Sequence, residues 1–235
     1  LLSICLSSSV MAQMTGIAIE VDAAFYGVSA IDPLGELDGF VTYKVYAEFA
    51  NPTDVLSAIY SDVDALGTIP MEIDAPCSCF NPVASSFAMD ASNPSAFWDF
   101  FPMFQYDSYW TIGMESSDSP GVIPQTIGLD NVTGLCSDLI TVGSLYTVDS
   151  PINTEAGADL RVLVAQVTTC GDWCFGANFQ VFIEGVQASS QFFEPIYQIC
   201  TQNPCEPYLT HDAGVTGTVL PCGGDNTTVE VEFLG

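Results

Sequence analysis

The sequence predicts an all-β fold: a β-sandwich with an N-terminal strand extension and a Cys-rich C-terminal β segment. Three observations support this prediction. Apolar and polar residues alternate with the two-residue period of strands over much of the 235-residue chain. These runs are rich in Val, Ile, Thr, Tyr and Phe, which strands favour. Clusters of Pro, Gly, Asn and Asp separate them, and many short strands joined by turns are typical of a sandwich.

The clearest predicted strand covers residues 40–49. Val41, Val45 and Phe49 share one face of it, and Lys44 and Glu48 share the other. Similar runs predict strands at residues 15–21, 109–114, 139–148, 160–168, 179–184, 215–220 and 228–234. Residues 54–60 fit one short helical turn as well as a strand, and their pattern does not decide between the two.

The N-terminal residues fit two interpretations. Residues 1–13 have the composition of a secretory leader that ends at the small-residue site Val10-Met11-Ala12, and they also alternate like a strand. We expect residues 1–22 to be a leader remnant or a strand, residues 23–198 the main sandwich, and residues 199–235 a small Cys-rich β segment. A retained strand would complete the sheet of a neighbouring copy. Its apolar assembly positions are Leu2, Ile4, Leu6, Val10, Ile17, Ile19 and Val21.

Acidic side chains dominate the composition. The chain has 29 Asp and Glu against two Lys and Arg, which gives a formal net charge of -27 at pH 7. Such a chain repels nucleic-acid phosphates and anionic lipids, so we expect no nucleic-acid partner. Apolar residues reach 49%, which indicates a folded protein rather than an acidic tail. No segment approaches the ~20 apolar residues of a membrane-spanning helix. The two basic residues, Lys44 and Arg161, are each expected to pair with a carboxylate.

The cysteines predict disulfides and therefore a secreted, cell-surface protein. Without Cys5, eight of the nine remain, an even number: Cys77, Cys79, Cys136, Cys170, Cys174, Cys200, Cys205 and Cys222. The short spacings favour local bridges between Cys170 and Cys174 and between Cys200 and Cys205. A structural zinc site is the weaker interpretation, because zinc sites combine Cys-x-x-Cys units or add histidines.

Catalytic and cofactor motifs give little signal. The single histidine, His211, has no nucleophile motif beside it, so we expect no catalytic residues and no enzyme. An unrecognised pair of carboxylates in a secreted hydrolase stays open as a third class of function. Calcium is the only cofactor that the residue types favour, and its weak candidate ligands are Asp32, Asp38, Asp62 and Asp64. Two N-glycosylation sequons begin at Asn131 and Asn226.

Several strands resemble a known type of sequence. The runs YKVYAEF (43–49), YDSYWTIGM (106–114), DLRVL (159–163) and NFQVF (178–182) resemble a group of uncharacterised secreted bacterial surface domains. This resemblance covers about residues 41–184 and implies an extracellular β domain without a known activity. The alternating N-terminal strand also resembles, in pattern only, pilus subunits that polymerise by donor-strand exchange.

The densest aromatic stretch covers residues 97–110. We expect its rings to fill the core or a contact between subunits, as large aromatics usually do. The sequence therefore predicts a structural subunit of an extracellular self-assembling fibre, built by donor-strand addition. The alternative is a carbohydrate-binding or adhesive module that stacks sugars on Trp98 and Trp110, with a polysaccharide as its partner.

Overall fold

The chain forms a β-sandwich, as the sequence predicts. The computed structural model describes residues 14–63, 69–82, 94–129, 135–136, 139–148 and 151–201. Two antiparallel sheets face each other in this part of the chain. The predicted strands at residues 215–220 and 228–234, and most of the predicted Cys-rich segment, lie outside the described residues.

The strands divide between the two sheets. Sheet A has the order β1-β2-β8-β5, and sheet B has the order β10-β9-β3-β7-β6, with β4 paired to β9 beside this path. Their bounds are β1 Met14–Ala24, β2 Val41–Phe49, β3 Val55–Asp62, β4 Glu72–Asp74, β5 Tyr109–Trp110, β6 Gln125–Ile127, β7 Val142–Tyr146, β8 Arg161–Thr169, β9 Trp173–Phe182 and β10 Ser190–Thr201.

The described helices are short. One four-residue α-helix, α1, covers Pro151–Thr154, and 3-10 helices cover Ser95–Phe97, Pro102–Tyr106, Ile183–Gly185 and Gln187–Ser189. Within the described residues, no helix has the length and apolar character needed to cross a membrane.

Strand β2 shows how the alternating pattern builds the sandwich. Tyr43, Val45 and Ala47 are buried in the core between the sheets, while Lys44 and Tyr46 lie on the opposite face of sheet A. Strand β9 supplies much of sheet B's share of this core. A second, smaller cluster around Phe25, Leu37 and Phe80 closes one end of the fold. Burial of these apolar side chains is the main force that holds the two sheets together.

Strand β1 lies at the edge of sheet A. It pairs antiparallel with β2 of the same chain, and Ile17 and Ile19 pack against the main core. No described strand pairs with its other edge. The expected domain boundaries after residues 22 and 198 fall inside β1 and β10, respectively.

The structure decides one open assignment and corrects the end of one predicted strand. Residues 55–62, where the sequence pattern left a helical turn and a strand open, form strand β3 in the middle of sheet B. The strand predicted at residues 109–114 ends after Trp110, because the chain turns at Gly113, which has a positive φ of 70°.

In the described part of the chain, three disulfides join distant segments: Cys77–Cys170, Cys79–Cys136 and Cys174–Cys200. The predicted local bridges from Cys170 to Cys174 and from Cys200 to Cys205 are therefore wrong. Cys174 and Cys200 are register partners on β9 and β10, so the antiparallel ladder itself brings them together. Three disulfides are compatible with an extracellular protein.

Candidate functional site

A row of polar side chains crosses the outer face of sheet A. Glu20 of β1, Lys44 of β2, Gln166 of β8 and Tyr109 of β5 are successive register partners across the four strands. The neighbouring residue on β5, Trp110, points the other way and is buried in the core. Strand alternation therefore collects polar groups from four distant parts of the chain on one face.

Lys44 is held between two carboxylates. Its Nζ lies 2.9 Å from Glu115 Oε1 and 3.4 Å from Asp22 Oδ1. Burial alone would lower the pKa of Lys44. The hydrogen bond to Glu115 and the two negative charges outweigh burial, so the pKa is raised and the ammonium stays charged.

Arg161 of β8 also pairs with a carboxylate. Its Nη1 lies 2.6 Å from Glu20 Oε1, and its guanidinium carbon lies 4.2 Å from the centroid of the Tyr46 ring. The expectation that each basic residue pairs with a carboxylate is confirmed. The Lys44–Asp22 and Arg161–Glu20 pairs also attach edge strand β1 to the rest of sheet A.

The loop that carries Glu115 turns tightly after β5. At Gly113, an added Cβ would collide with the backbone carbonyl of Asn153, and φ is 70°, so only glycine fits there. The Asn153 side chain donates to the carbonyl of Ile112 and holds the turn from the other side. This turn positions Glu115 next to Lys44.

Gln166 fixes the segment that covers this face. Its buried side-chain amide donates from Nε2 to the carbonyl oxygens of Gln105, at 2.9 Å, and Asp107, at 2.7 Å. These two bonds hold the end of the 3-10 helix Pro102–Tyr106 against sheet A. Burial raises the pKa of Tyr106, which therefore stays a neutral phenol at physiological pH.

The preceding aromatic turn is fixed by Asp118. The backbone N–H of Ser95 donates to Asp118 Oδ1 at 2.9 Å, and the Ser95 hydroxyl donates to Oδ2 at 2.8 Å. The Ser116 hydroxyl adds a further bond to Oδ1. These three donors, the Ser95 N–H first, lower the pKa of Asp118 to about 2. The turn that carries Trp98 is thus fixed at its start.

A pocket of about 140 Å³ lies between this aromatic turn and sheet A. Its lining combines three aromatic rings, two carboxylates, one ammonium and two amides: Asp22, Lys44, Trp98, Gln105, Tyr106, Tyr109, Glu115 and Gln166. The Nε1 of Trp98 is buried and has no hydrogen-bond partner in the described part of the chain. The Nε1 of Trp173, in the main core, is in the same condition.

Three phenylalanines next to Trp98 in the sequence are exposed to solvent. Phe97, Phe100 and Phe101 expose 49%, 79% and 51% of their surface, and all three lie within three residues of Trp98. The ring of Phe101 stacks on that of Phe104 with centroids 5.0 Å apart. These three rings therefore do not fill the core of their own chain, and the expectation that they form a contact between subunits stays a prediction.

Trp110 does not belong to this surface. It is fully buried and packs on Phe175 of β9, with ring centroids 5.1 Å apart. The prediction that it stacks on a sugar is wrong, whereas Trp98 lines the pocket. Sequence reasoning also missed Lys44, Gln166 and Tyr109 as site residues, since only the strand register brings them together.

The three described calcium candidates, Asp32, Asp38 and Asp62, form no metal-ligating group with three or more members. Both side-chain oxygens of Asp32 accept backbone N–H groups, from Glu36 and Leu37, so this carboxylate fixes the loop between β1 and β2. Asp38 accepts the N–H of Gly27, and Asp62 ends β3. No group of three or more metal-ligating side chains occurs among the described residues.

The remaining predicted residues lie either on β1 or outside the described residues. Ile17, Ile19 and Val21 lie on β1 and are paired with β2 of their own chain. The candidates outside the described residues are Leu2, Ile4, Leu6, Val10, Asp64, Asn131, Cys205, Asn226 and Cys222.

Comparison of this chain with protein-family models, with curated proteins and with solved structures finds no match. The resemblance to secreted bacterial surface domains therefore stays a prediction, and the proposed function depends on the geometry of the pocket.

Proposed function

We propose that this chain is a secreted carbohydrate-binding module and that the pocket beside Lys44 is its binding site. The observation that carries the proposal is the combination found there. The ring of Trp98 lines the pocket together with two carboxylates, an ammonium and two amides, and exposed aromatic rings lie on the same turn.

Sugars match this combination of groups. A pyranose ring has an apolar face that packs on an aromatic ring, and its rim carries hydroxyls that both donate and accept hydrogen bonds. Small-molecule sites usually combine apolar walls with a few placed polar groups. Here the carboxylates of Asp22 and Glu115 can accept from hydroxyls, and the ring of Trp98 supplies an apolar wall.

Hydrogen bonds within the chain also hold the site in place without a ligand. Asp118 fixes the start of the aromatic turn, and Gln166 fixes the segment that follows it. A preformed site loses little conformational entropy on binding, so even a small contact area can give useful affinity.

A glycan array tests the proposal with four forms of the full chain. The wild type is compared with Trp98→Ala, with Phe100→Ala, and with Ile127→Ala, a control that removes an exposed apolar side chain from β6 in sheet B. We expect the wild type and the control to bind the same glycans, and Trp98→Ala to lose about tenfold or more. Absence of binding by the wild type, or unchanged binding by Trp98→Ala, contradicts the proposal.

Self-assembly into a fibre is a second candidate, favoured by the position of β1. This 11-residue strand lies at the edge of sheet A without a described partner on its outer side, and Val21 exposes 56% of its surface. Open edges are templates for pairing with another chain. Since Ile17 and Ile19 pack in their own core, addition to this edge requires less rearrangement than exchange of the strand.

Substitutions at Val21 test this candidate. Val21→Lys places a charge that disfavours edge pairing, and Val21→Thr is the matched neutral control. Filaments of the wild type and of Val21→Thr in negative-stain microscopy, with a monomeric Val21→Lys, would support assembly through β1. A wild type that is monomeric at about 0.15 M salt, where repulsion between the acidic subunits is screened, contradicts it.

A further inference from the structure

The charge of the pocket bears on the class of glycan that the pocket accepts. The whole chain contains two Lys and Arg residues against 29 Asp and Glu. Both basic side chains lie in ion pairs on the outer face of sheet A. No Lys or Arg is therefore left to pair with an anionic ligand.

The pocket itself has an excess of negative charge. Lys44 is the only cation among the described lining residues, and Asp22 and Glu115 both lie within ion-pair distance of it. A sulfate or uronate group would have to take Lys44 from one of these carboxylates, which would leave that carboxylate unpaired. The side chains of Asp22 and Glu115 are 37% and 57% exposed, so water offsets part of this cost, and their negative charge also repels the incoming anion.

We infer that the pocket accepts an uncharged glycan and excludes sulfated and uronic acid polymers. This inference rests on the proposed function, since it specifies the ligand class of the same site. Hydroxyl groups can bond to Asp22 and Glu115 without breaking their pairs with Lys44, because each carboxylate oxygen has more than one acceptor position.

Affinity electrophoresis in native gels tests the inference. The full chain is run through gels that contain laminarin, galactomannan or dextran, and through gels that contain the sulfated derivative of each polymer. We expect a neutral polymer to retard the chain at least about tenfold more strongly than its sulfated derivative. Equal or stronger retardation by the sulfated polymer overturns the inference and leaves the proposed function standing.

Salt separates the charge of the pocket from the overall charge of the chain. At about 1 M NaCl, interactions between exposed charges are largely screened, whereas those of Lys44, whose side chain is 18% exposed, are screened less. We expect the preference for the neutral polymer to persist in high salt. Loss of the preference there would mean that only the net charge of -27 excludes the sulfated polymer, and would overturn the inference.

Two charge-reversal variants provide a matched comparison. Glu115→Lys adds a cation at the pocket, and Asp62→Lys makes the same change of net charge at the end of β3 in sheet B. We expect Glu115→Lys alone to gain retardation by the sulfated polymer. An equal gain in both variants would mean that the net charge, and not the charge at the pocket, causes the preference, and would contradict the inference. If no neutral or sulfated polymer retards the wild type, both the proposed function and this inference fail.

Discussion

The buried carboxyl group of Asp107 should make the protein less stable at neutral pH than in weak acid. Asp107 lies between the aromatic segment and β5 and exposes 3% of its surface. Burial raises its pKa from 3.8 to about 7, opposed in part by the hydrogen bond from the N–H of Ser108. The folded chain therefore binds this proton more tightly than the unfolded chain does.

The sign and size of the effect follow from linkage. A raised carboxyl pKa means that, between about pH 4 and pH 7, the native state binds more protons than the unfolded state, so stability falls as pH rises. A shift from 3.8 to about 7 corresponds to about 4 kcal/mol, and roughly 3 kcal/mol of it is lost between pH 5 and pH 8.

Urea unfolding of the wild type and of Asp107→Asn at several pH values measures this loss. Asparagine keeps the shape and does not ionise, so the difference in unfolding free energy between the two chains should change by about 3 kcal/mol from about pH 5 to about pH 8. Asp118→Asn is the control, because the pKa of Asp118, about 2, places its titration below this range. A difference between wild type and Asp107→Asn that is independent of pH would refute the reasoning.

Three further predictions concern the disulfides and the stability of the fold. Replacement of Cys174 and Cys200 by alanine should cost about 3 kcal/mol in urea unfolding, because their bridge closes a loop with a sequence separation of 26; a cost near zero would contradict it. The three disulfides use six of the nine cysteines, so thiol titration of the denatured, unreduced protein should find at most three free thiols. Leu37→Ala should cost about 2–5 kcal/mol, because Leu37 is fully buried in the second cluster; a cost below about 1 kcal/mol would show that this cluster is dispensable.

The sequence predicts the fold best where one face of a strand is buried. In β2, core residues such as Val45 alternate with outer residues such as Lys44, and the strand was predicted nearly to its ends. In β3, a bulge between Leu56 and Ala58 brings Leu56 and Ile59, three residues apart, into the same core. That spacing is the one that helices show, so the pattern could not identify the strand.

The disulfides and the pocket depend on pairing that is not local in sequence. Cys174 and Cys200 meet because β9 and β10 are antiparallel, and β10 was not predicted, so its ladder could not be used. Lys44 and Gln166 are neighbours for the same reason on β2 and β8. One signal was available: a single Lys on the outer face of a strand, in a chain with only one other basic residue, marks an unusual site.

The two tryptophans of the aromatic stretch show a second limit. Trp98 and Trp110 are chemically the same and lie near acids and amides in the sequence, yet Trp110 points into the core and Trp98 lines the pocket. The direction of a side chain on a two-residue strand such as β5 is set by its pairing with β8. Composition alone could not distinguish the two rings.

The most direct test of the central claim is the indole N–H spectrum of the full chain labelled with ¹⁵N-tryptophan. Three tryptophans give three indole signals, and only Trp98 lines the pocket, whereas Trp110 and Trp173 are buried in the core. Titration with cellotetraose, laminaritetraose and mannotetraose in turn should shift the Trp98 signal, assigned with Trp98→Phe, in a saturable way for at least one of them. Three signals that stay unchanged with every oligosaccharide, or a shift confined to the two buried tryptophans, would contradict the account.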